Sequence, residues 1–349
     1  MPFQKTNRLF DKASEWLKKE LPFVLYRFPN EEYLRGVFQS SKELHELQDY
    51  NSSGFVFAPF EKGTQVFIKG EYLKIPTSFA YDLKPSENTV VSEEGKMRHI
   101  DLVKSALDEI HQGNLKKVVI SRSAKYPTQK SPLKLFAGLL ARYAKAMCYL
   151  WYHPEVGLWL GATPEQLLRY QNELISTTSL AGTLPYIQGK KPNWTPKELE
   201  EQQMVTDYIE KKLQDKIENL NISKPENHRA GELWHLKSRL TGYLKSYDVL
   251  PEIVEVLHPT PAVCGLPKKD SMEFILKNEH HNRAYYTGFL GPLNLEGEKE
   301  ANLFVNLRCL TYQSGNAQLF IGGGITGSSI PEEEWEETQF KSRTILEVL

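Results

Sequence analysis

Met147-Cys-Tyr-Leu-Trp-Tyr-His-Pro-Glu-Val-Gly-Leu-Trp-Leu-Gly161, followed by Gln166-Leu-Leu-Arg-Tyr-Gln-Asn-Glu-Leu-Ile-Ser-Thr-Thr178, is the stretch that decides the fold. Met147 to Tyr152 reads as a strand with its neighbour at Gly157 to Gly161. Gln166 to Tyr170 and Leu174 to Thr178 pair across Gln171-Asn172, a hairpin signal. Upstream, Lys117-Val-Val-Ile-Ser-Arg122 is a strand and Pro132 to Ala146 a helix. Met97 to Gln112 is a helix closed by Gly113. Strands in hairpin succession with helices inserted between them indicate an α+β protein with mostly antiparallel sheets, not a doubly wound parallel sheet.

Further outward, Asp11 to Leu21 carries helical spacing and ends at Pro22, before the strand-like run Phe23 to Phe28. Gly54 to Pro59 and Thr64 to Lys69 read as two short strands around the turn Glu61-Lys62-Gly63, and the polar stretch from Lys84 to Glu94 as a loop. Downstream, Thr195 to Asn219 predicts a long charged helix and Ser271 to Lys277 a short one. Tyr285 to Leu290, Ala301 to Tyr312 and Gln318 to Ile325 predict a late set of strands, and Glu332 to Leu349 a closing helix.

With 43 basic and 44 acidic side chains the chain is near neutral, which argues against a sequence-blind grip on nucleic acid or anionic lipid and for a small-molecule substrate. Cys148, Cys264 and Cys309 follow no metal-ligand spacing and read as buried thiols. Neither a signal-peptide pattern nor an apolar run of roughly 18 residues stands out, so the expectation is a cytoplasmic protein without a membrane span. A monomer is the default.

Four features carry chemistry. Lys117 opens an apolar strand; desolvation there depresses a lysine pKa and makes a general base, against the alternative of a strand-edge lysine reaching to water. Glu165, in Gly161-Ala-Thr-Pro-Glu165, is alone only a turn carboxylate, but it precedes Thr177-Thr-Ser-Leu-Ala-Gly-Thr183, a small-residue turn able to bring backbone N–H groups to an anion. Glu198 with Glu201, and Glu334 with Glu337, are i, i+3 pairs on two helices; four converging carboxylates suit Mg²⁺, whereas acidic helix starts are otherwise solvated faces. Gly322-Gly-Gly324 follows a strand, with Arg308 on the preceding strand and Lys341 one turn past Glu337, a set suited to holding a carboxylate.

Together these stretches resemble the chorismate-binding family, in which isochorismate, salicylate, anthranilate and aminodeoxychorismate synthases share one fold. The resemblance covers roughly Val103 to Leu349 and rests on motifs in family order: Lys117 to Arg122, Gly161 to Glu165, Leu180-Ala-Gly-Thr183, Leu233-Trp-His-Leu236, His258-Pro-Thr-Pro-Ala-Val-Cys-Gly265, Tyr286-Thr-Gly-Phe-Leu-Gly291 and Gly322 to Lys341. It implies one domain over residues 1–349, with 96–349 as the motif-bearing part and the loosely matching 1–95 completing the sheets. The implied architecture is two large antiparallel β-sheets packed face to face with helices outside.

The resemblance also implies that Glu201 and Glu337 hold Mg²⁺, supported through water by Glu198 and Glu334. Arg308, Lys341 and the backbones of Gly182 and Gly322 would hold the anionic groups of chorismate. His235 would stand beside the ring, with Thr183 and Tyr286 in the same binding set. Gln202 stands where the family usually has histidine after the metal glutamate. The water-using members keep the lysine at position 117 and the amine-using members lack it, which places this chain with the water users. The implied reaction is that of an isochorismate synthase: Lys117 deprotonates water for attack at C2 while Glu165 protonates the departing C4 hydroxyl. Ala262 stands where salicylate synthases typically have threonine; with Tyr286 and Leu307 it looks most like the menaquinone type. The alternatives are a salicylate synthase, an amine-using synthase component with an amidotransferase partner, and a non-catalytic chorismate sensor. Whether the product feeds menaquinone or a siderophore stays open.

Overall fold

Short aromatic and β-branched runs separated by two- to five-residue turns cannot bury both faces alone, and here they stack as strands of two sheets. The computed structural model describes residues 2–77, 92–230, 233–297 and 299–349. In chain order they form α1 (Pro2–Lys19), β1 (Phe23–Arg27), β2 (Tyr33–Phe38), β3 (Gly54–Ala58), β4 (Val66–Ile68) and β5 (Glu71–Pro76). There follow α2 (Lys96–His111), β6 (Lys117–Pro127), α3 (Pro132–Arg142), β7 (Met147–His153), β8 (Gly157–Thr163), β9 (Gln166–Gln171) and β10 (Leu174–Pro185). Next come α4 (Pro196–Leu213), β11 (Ile217–Ile222), β12 (Glu226–Ala230), β13 (Leu233–Leu244), α5 (Leu250–Leu257), β14 (Gly265–Leu266) and α6 (Lys268–Asn278). The chain closes with β15 (Phe289–Leu293), β16 (Ala301–Val305), β17 (Cys309–Gln313), β18 (Asn316–Ile325) and α7 (Pro331–Leu346).

The first sheet runs β14-β6-β18-β17-β8-β7-β1-β2-β5, the second β11-β13-β10-β9-β16-β15-β3-β4 with β12 also on β13. Every described pairing is antiparallel, as the hairpin succession predicts. Between the sheets lies an aromatic core: Tyr26, Tyr149 and Trp151 from the first sheet meet Phe55, Phe57, Leu290 and Phe304 from the second. The Phe57 and Trp151 ring centroids are 4.8 Å apart. Helices cover the outer faces. Leu135, Phe136 and Leu139 of α3 and Ile345 and Leu346 of α7 pack on the first sheet; Val205, Ile209 and Leu213 of α4 and Ile253, Val254 and Leu257 of α5 pack on the second. The fold is therefore two antiparallel sheets face to face with helices outside, and strands from residues 23–76 belong to both sheets. No helix among the described residues is long and apolar enough to cross a membrane.

Several elements differ from the sequence reading. The helix expected over Thr195 to Asn219 stops at Leu213, because Ile217 turns into the second sheet as the first residue of β11. Strands β2, β5, β12 and β13 carry too many polar residues to register as apolar runs, although Leu236, Ser238 and Leu240 of β13 alternate inward with period two. Residues 84–91 of the predicted loop lie outside the described residues. The single strand expected over Ala301 to Tyr312 is two strands in different sheets. The chain leaves the second sheet after Val305 and enters the first at Cys309, with Arg308 in the left-handed region at φ 48° between them. Arg308 is thus on a crossover, not on a strand.

A matching crossover at Pro164-Glu165 carries the chain from β8 in the first sheet to β9 in the second. The two crossovers lie side by side. Thr163 Oγ1 donates to the Val305 carbonyl (2.6 Å), Val305 N to the Glu165 carbonyl (3.0 Å) and Ala162 N to the Arg308 carbonyl (3.1 Å).

After α6 the chain is pinned to β6 by a buried ion pair. Arg283 Nη2 lies 2.5 Å from Glu279 Oε1 and donates to the Val119 carbonyl (2.7 Å), while Nη1 donates to the Val263 carbonyl (3.0 Å). Glu279 Oε1 in turn accepts from Ser121 N (2.6 Å) and Oγ (2.9 Å). Removing one member strands the other charge in the interior. Arg283→Ala should therefore lower unfolding free energy by about 3–5 kcal/mol in urea titration, and Arg283→Met with Glu279→Leu should cost less than the single change. A loss under about 1 kcal/mol for the single change would show the pair to be solvated.

Candidate active site

The strand β6 alternates with period two. Val118 and Ile120 face α2 and α6, so Lys117 and Val119 face the opposite way, into a cavity at the end of the inter-sheet cleft. That cavity encloses about 1090 Å³ with its open mouth, and every site residue expected from the sequence lines it: Lys117, Glu165, Gly182, Thr183, Glu198, Glu201, His235, Tyr286, Arg308, Gly322, Glu334, Glu337 and Lys341. Ala262 and Leu307 line it too.

The side chain of Lys117 is 1% exposed, and its Nζ donates to Glu201 Oε1 at 2.7 Å. The sequence reading gave Lys117 an apolar pocket; the structure gives it a carboxylate partner from α4, the contact an ammonium makes. Glu201 Oε2 accepts from Gly182 N (3.2 Å). Burial pushes the Glu201 carboxyl up, but Lys117, Lys341 and the Gly182 N–H outweigh it and hold it below the usual carboxylate range. Gly182 has φ 71° and sits at a bulge between Ala181 and Thr183 in the ladder with β13, which turns its N–H toward Glu201. The Gly182 carbonyl lies 3.0 Å from His235 Nδ1. Burial, then Arg308 and Lys341, push His235 down to about 3, so the imidazole is neutral at physiological pH.

The helix α7 presents Glu334, Glu337 and Lys341 on one face through i, i+3 and i+4 spacing. Lys341 Nζ donates to Glu337 Oε1 (2.5 Å) and to the Gly322 carbonyl (2.9 Å). Glu334 lies 3.6 Å from Lys197, and burial followed by the neighbouring Glu337 pushes its carboxyl up to about 7. Glu198 spends one oxygen on its own helix start, accepting from Thr195 N (2.9 Å) and Oγ1 (2.6 Å) in a capping box.

The Gly322 to Gly324 run is a regular part of β18, in register with Ser121 to Val119 and free of any bulge. Its glycines make room rather than a turn. A Cβ on Gly322 would stand 2.8 Å from the Tyr286 hydroxyl; one on Gly324 would stand 3.1 Å from Lys117 Cε and 3.2 Å from Glu201 Oε1. Glu165, on the first crossover, is 7% exposed; burial raises its carboxyl to about 7 against the opposing pull of Lys117, Arg308 and Lys341.

Among the described residues no three Asp, Glu, His or Cys side chains stand close enough to grip an ion as they are placed, because Lys117 and Lys341 occupy the oxygens of Glu201 and Glu337. The donor chemistry nevertheless fits a hard dication: the acidic groups offer only oxygen, and burial followed by the neighbouring Glu337 raises Glu334, a crowding of carboxyls that a cation would relieve. Five carboxylates and four Lys or Arg side chains line the cavity, so an anionic ligand would leave a net negative interior without a further cation. Two contributors escaped the sequence reading. Lys197, the residue before Glu198, pairs with Glu334; Gln202, noticed only as a departure, lies 2.9–3.1 Å from the hydroxyls of Ser179, Thr206 and Ser238 and ties α4 to β10 and β13.

A family model described as chorismate binding enzyme matches residues 74–349. The vibriobactin-specific isochorismate synthase of Vibrio cholerae is 30% identical over 256 residues, a match covering 70% of this chain and 64%, less than two thirds, of that protein. A Bacillus anthracis structure described as a 2,3-dihydroxybenzoate-specific isochorismate synthase superposes with TM-score 0.81 at 23% identity, over 94% of this chain and 96% of that one. MenF, the menaquinone-specific isochorismate synthase of Escherichia coli, gives 0.77 at 20% identity over 93% and 88%. At these identities the two structures show a shared fold.

Glu165 carries a stability signature. Its folded pKa of about 7 lies above its ordinary 4.5, so the folded state retains a proton that the unfolded chain releases, and stability from this group declines as pH rises from about 4.5 to about 7. Glu165→Gln should therefore raise the thermal midpoint at pH 8 and leave it nearly unchanged at pH 4. Equal shifts at both values, measured by differential scanning calorimetry, would contradict the buried, protonated carboxyl.

Proposed function

The chain belongs to the chorismate binding enzyme family, and from that premise we propose that it is an isochorismate synthase converting chorismate to isochorismate. The observation that carries the reading is Glu165. It is a buried carboxyl pushed up to about 7 and subject to the field of Lys117 in the same cavity, so one wall offers an acid and another an amine. A carboxyl of that pKa is part protonated near neutrality, where it can deliver a proton and be refilled.

In the proposed reaction Lys117 takes a proton from water as the oxygen bonds to C2 of the ring. The ring double bonds shift, the C4–O bond breaks, and Glu165 protonates the departing hydroxyl, which leaves as water. Lys117 must first be free of its proton, so the pair it makes with Glu201 has to loosen in the reacting complex. Arg308 and Lys341, both lining the cavity, would take the substrate's anionic groups. Neutral His235 offers a hydrogen bond beside the ring without adding charge. Gly322 and Gly182 contribute backbone where side chains would block approach.

Glu201 and Glu337, with Glu198 and Glu334 behind them, would hold Mg²⁺, which supplies a counter-charge for these carboxylates and a carboxylate of the substrate. With Glu165 holding its proton, four carboxylates face four cations, and the two negative charges a dicarboxylate substrate adds support that assignment. Ala262 in the wall, where salicylate synthases typically have threonine, favours release of isochorismate over pyruvate elimination. The product would serve menaquinone or siderophore biosynthesis according to the enzymes that consume it. A cytoplasmic monomer remains part of this reading.

Incubation with chorismate and Mg²⁺, with and without ammonium, should give by liquid chromatography a chorismate–isochorismate mixture that is independent of ammonium. Salicylate with pyruvate, or an aminated product, would overturn the assignment. Lys117→Ala should lower turnover at least about a hundredfold while chorismate still binds, and retained turnover would remove the lysine as base. Glu337→Gln should weaken Mg²⁺ binding, read by isothermal titration as well as by activity; an unchanged titration would return the acidic pairs to a structural role.

A further inference from the structure

Beside the catalytic cavity lies a second concavity of about 570 Å³ on the same face of the second sheet. Strand alternation explains why the two are joined. On β13, Leu236, Ser238 and Leu240 are buried, so His235, Lys237 and Arg239 share the opposite face. His235 lines the cavity, and Lys237 and Arg239 line the second groove, where Leu180 and Thr178 of β10 stand opposite them in the ladder. Four residues of strand place Arg239 about 13 Å from His235 along the chain. Pro164 and Leu180 belong to both walls, so the groove adjoins the cavity beside Glu165.

The groove is cationic in an otherwise neutral chain. Arg169 from β9 and His228 from β12 complete it, and among the described residues none of Lys237, Arg239 and Arg169 makes an ion pair with a carboxylate. Among the described residues, Glu226, opposite Lys237 on β12, is the carboxylate whose field reaches both Lys237 and His228. Burial and the field of Arg239 push Lys237 below the ordinary lysine range, and the opposing field of Glu226 does not outweigh them.

We propose that this groove is an electrostatic vestibule, in which Lys237 and Arg239, with Arg169 across from them, capture a small dicarboxylate from solvent and pass it to the cavity at His235. The inference rests on the assignment of chorismate as substrate, a dianion whose concentration a cationic funnel raises at the mouth. Its charges act on capture and not on bond breaking, because they lie outside the cavity that holds Lys117 and Glu165.

The test is kcat/KM for chorismate as a function of ionic strength, for the full chain and for Lys237→Gln/Arg239→Gln, with Arg169→Gln as a separate variant on another strand should the double change fail to fold. At about 0.01 M salt the double variant should lose roughly five- to twentyfold in kcat/KM, with kcat within about twofold of the parent. The two should converge by about 0.5 M, where screening is complete within a few ångströms. Lys237→Arg should retain the parental salt dependence. A double variant or Arg169→Gln with the parental kcat/KM and salt slope overturns the vestibule while leaving the activity assigned. A fall in kcat equal to that in kcat/KM overturns it as well, by placing the charges in the chemical step. If the unmodified chain turns over no chorismate, the substrate assignment fails and the vestibule with it.

Discussion

Of the places where the chain crosses between the two sheets, two lie side by side and are bonded to each other, and the rest of the site depends on that constraint. The chain passes from β8 to β9 at Pro164-Glu165 and returns from β16 to β17 at Asn306 to Arg308, and the crossovers are laced by Thr163 Oγ1 to the Val305 carbonyl and Val305 N to the Glu165 carbonyl. A crossover between packed sheets leaves both aromatic core and solvent, so its side chains project into the end of the cleft. Glu165 and Arg308 are therefore fixed relative to both sheets and to each other by backbone hydrogen bonds. The left-handed conformation of Arg308 is part of that turn and presents a half-buried guanidinium to the cavity from between the sheets.

Around this fixed corner the charges are held in balance by pairs. Lys117 answers Glu201 and joins β6 to α4, Lys197 answers Glu334 and joins α4 to α7, and Lys341 answers Glu337 within α7. Glycine at 324 on β18 leaves the Lys117–Glu201 pair unhindered, since a Cβ there would stand 3.1 Å from Lys117 Cε and 3.2 Å from Glu201 Oε1. Burial raises both Glu165 and Glu334 to about 7, so the cavity disfavours further negative charge without compensation. Binding a dicarboxylate must shift these pairs, and that shift is what the proposed chemistry uses to release Lys117.

Much of this was legible in the residues. Hairpin signals around Met147 to Thr178 disclosed antiparallel sheets, and the i, i+3 glutamates on two helices, the lysine of β6 and the Gly322 run named the residues that meet in one cavity. Three things were not. The break at Arg308 is invisible because Ala301 to Tyr312 is uniformly strand-like, and only long-range pairing decides which half joins which sheet. Strand β13 was not legible because His235, Lys237 and Arg239 on its polar face dilute the apolar signal that Leu236 and Leu240 provide. The partner of Lys117 was missed because desolvation can be read from an apolar run, whereas an ion pair with a residue 84 positions away cannot.

The central claim is that a base and an acid of one cavity work on chorismate together, with a water oxygen entering at C2 and the C4 oxygen leaving. Turnover of chorismate in H₂¹⁸O, followed by mass spectrometry of the isochorismate formed in the first fraction of conversion, tests that most directly. The account predicts one ¹⁸O per product molecule, located at C2. Isochorismate free of ¹⁸O would mean that the hydroxyl migrates within the substrate, and would contradict the roles given to Lys117 and Glu165.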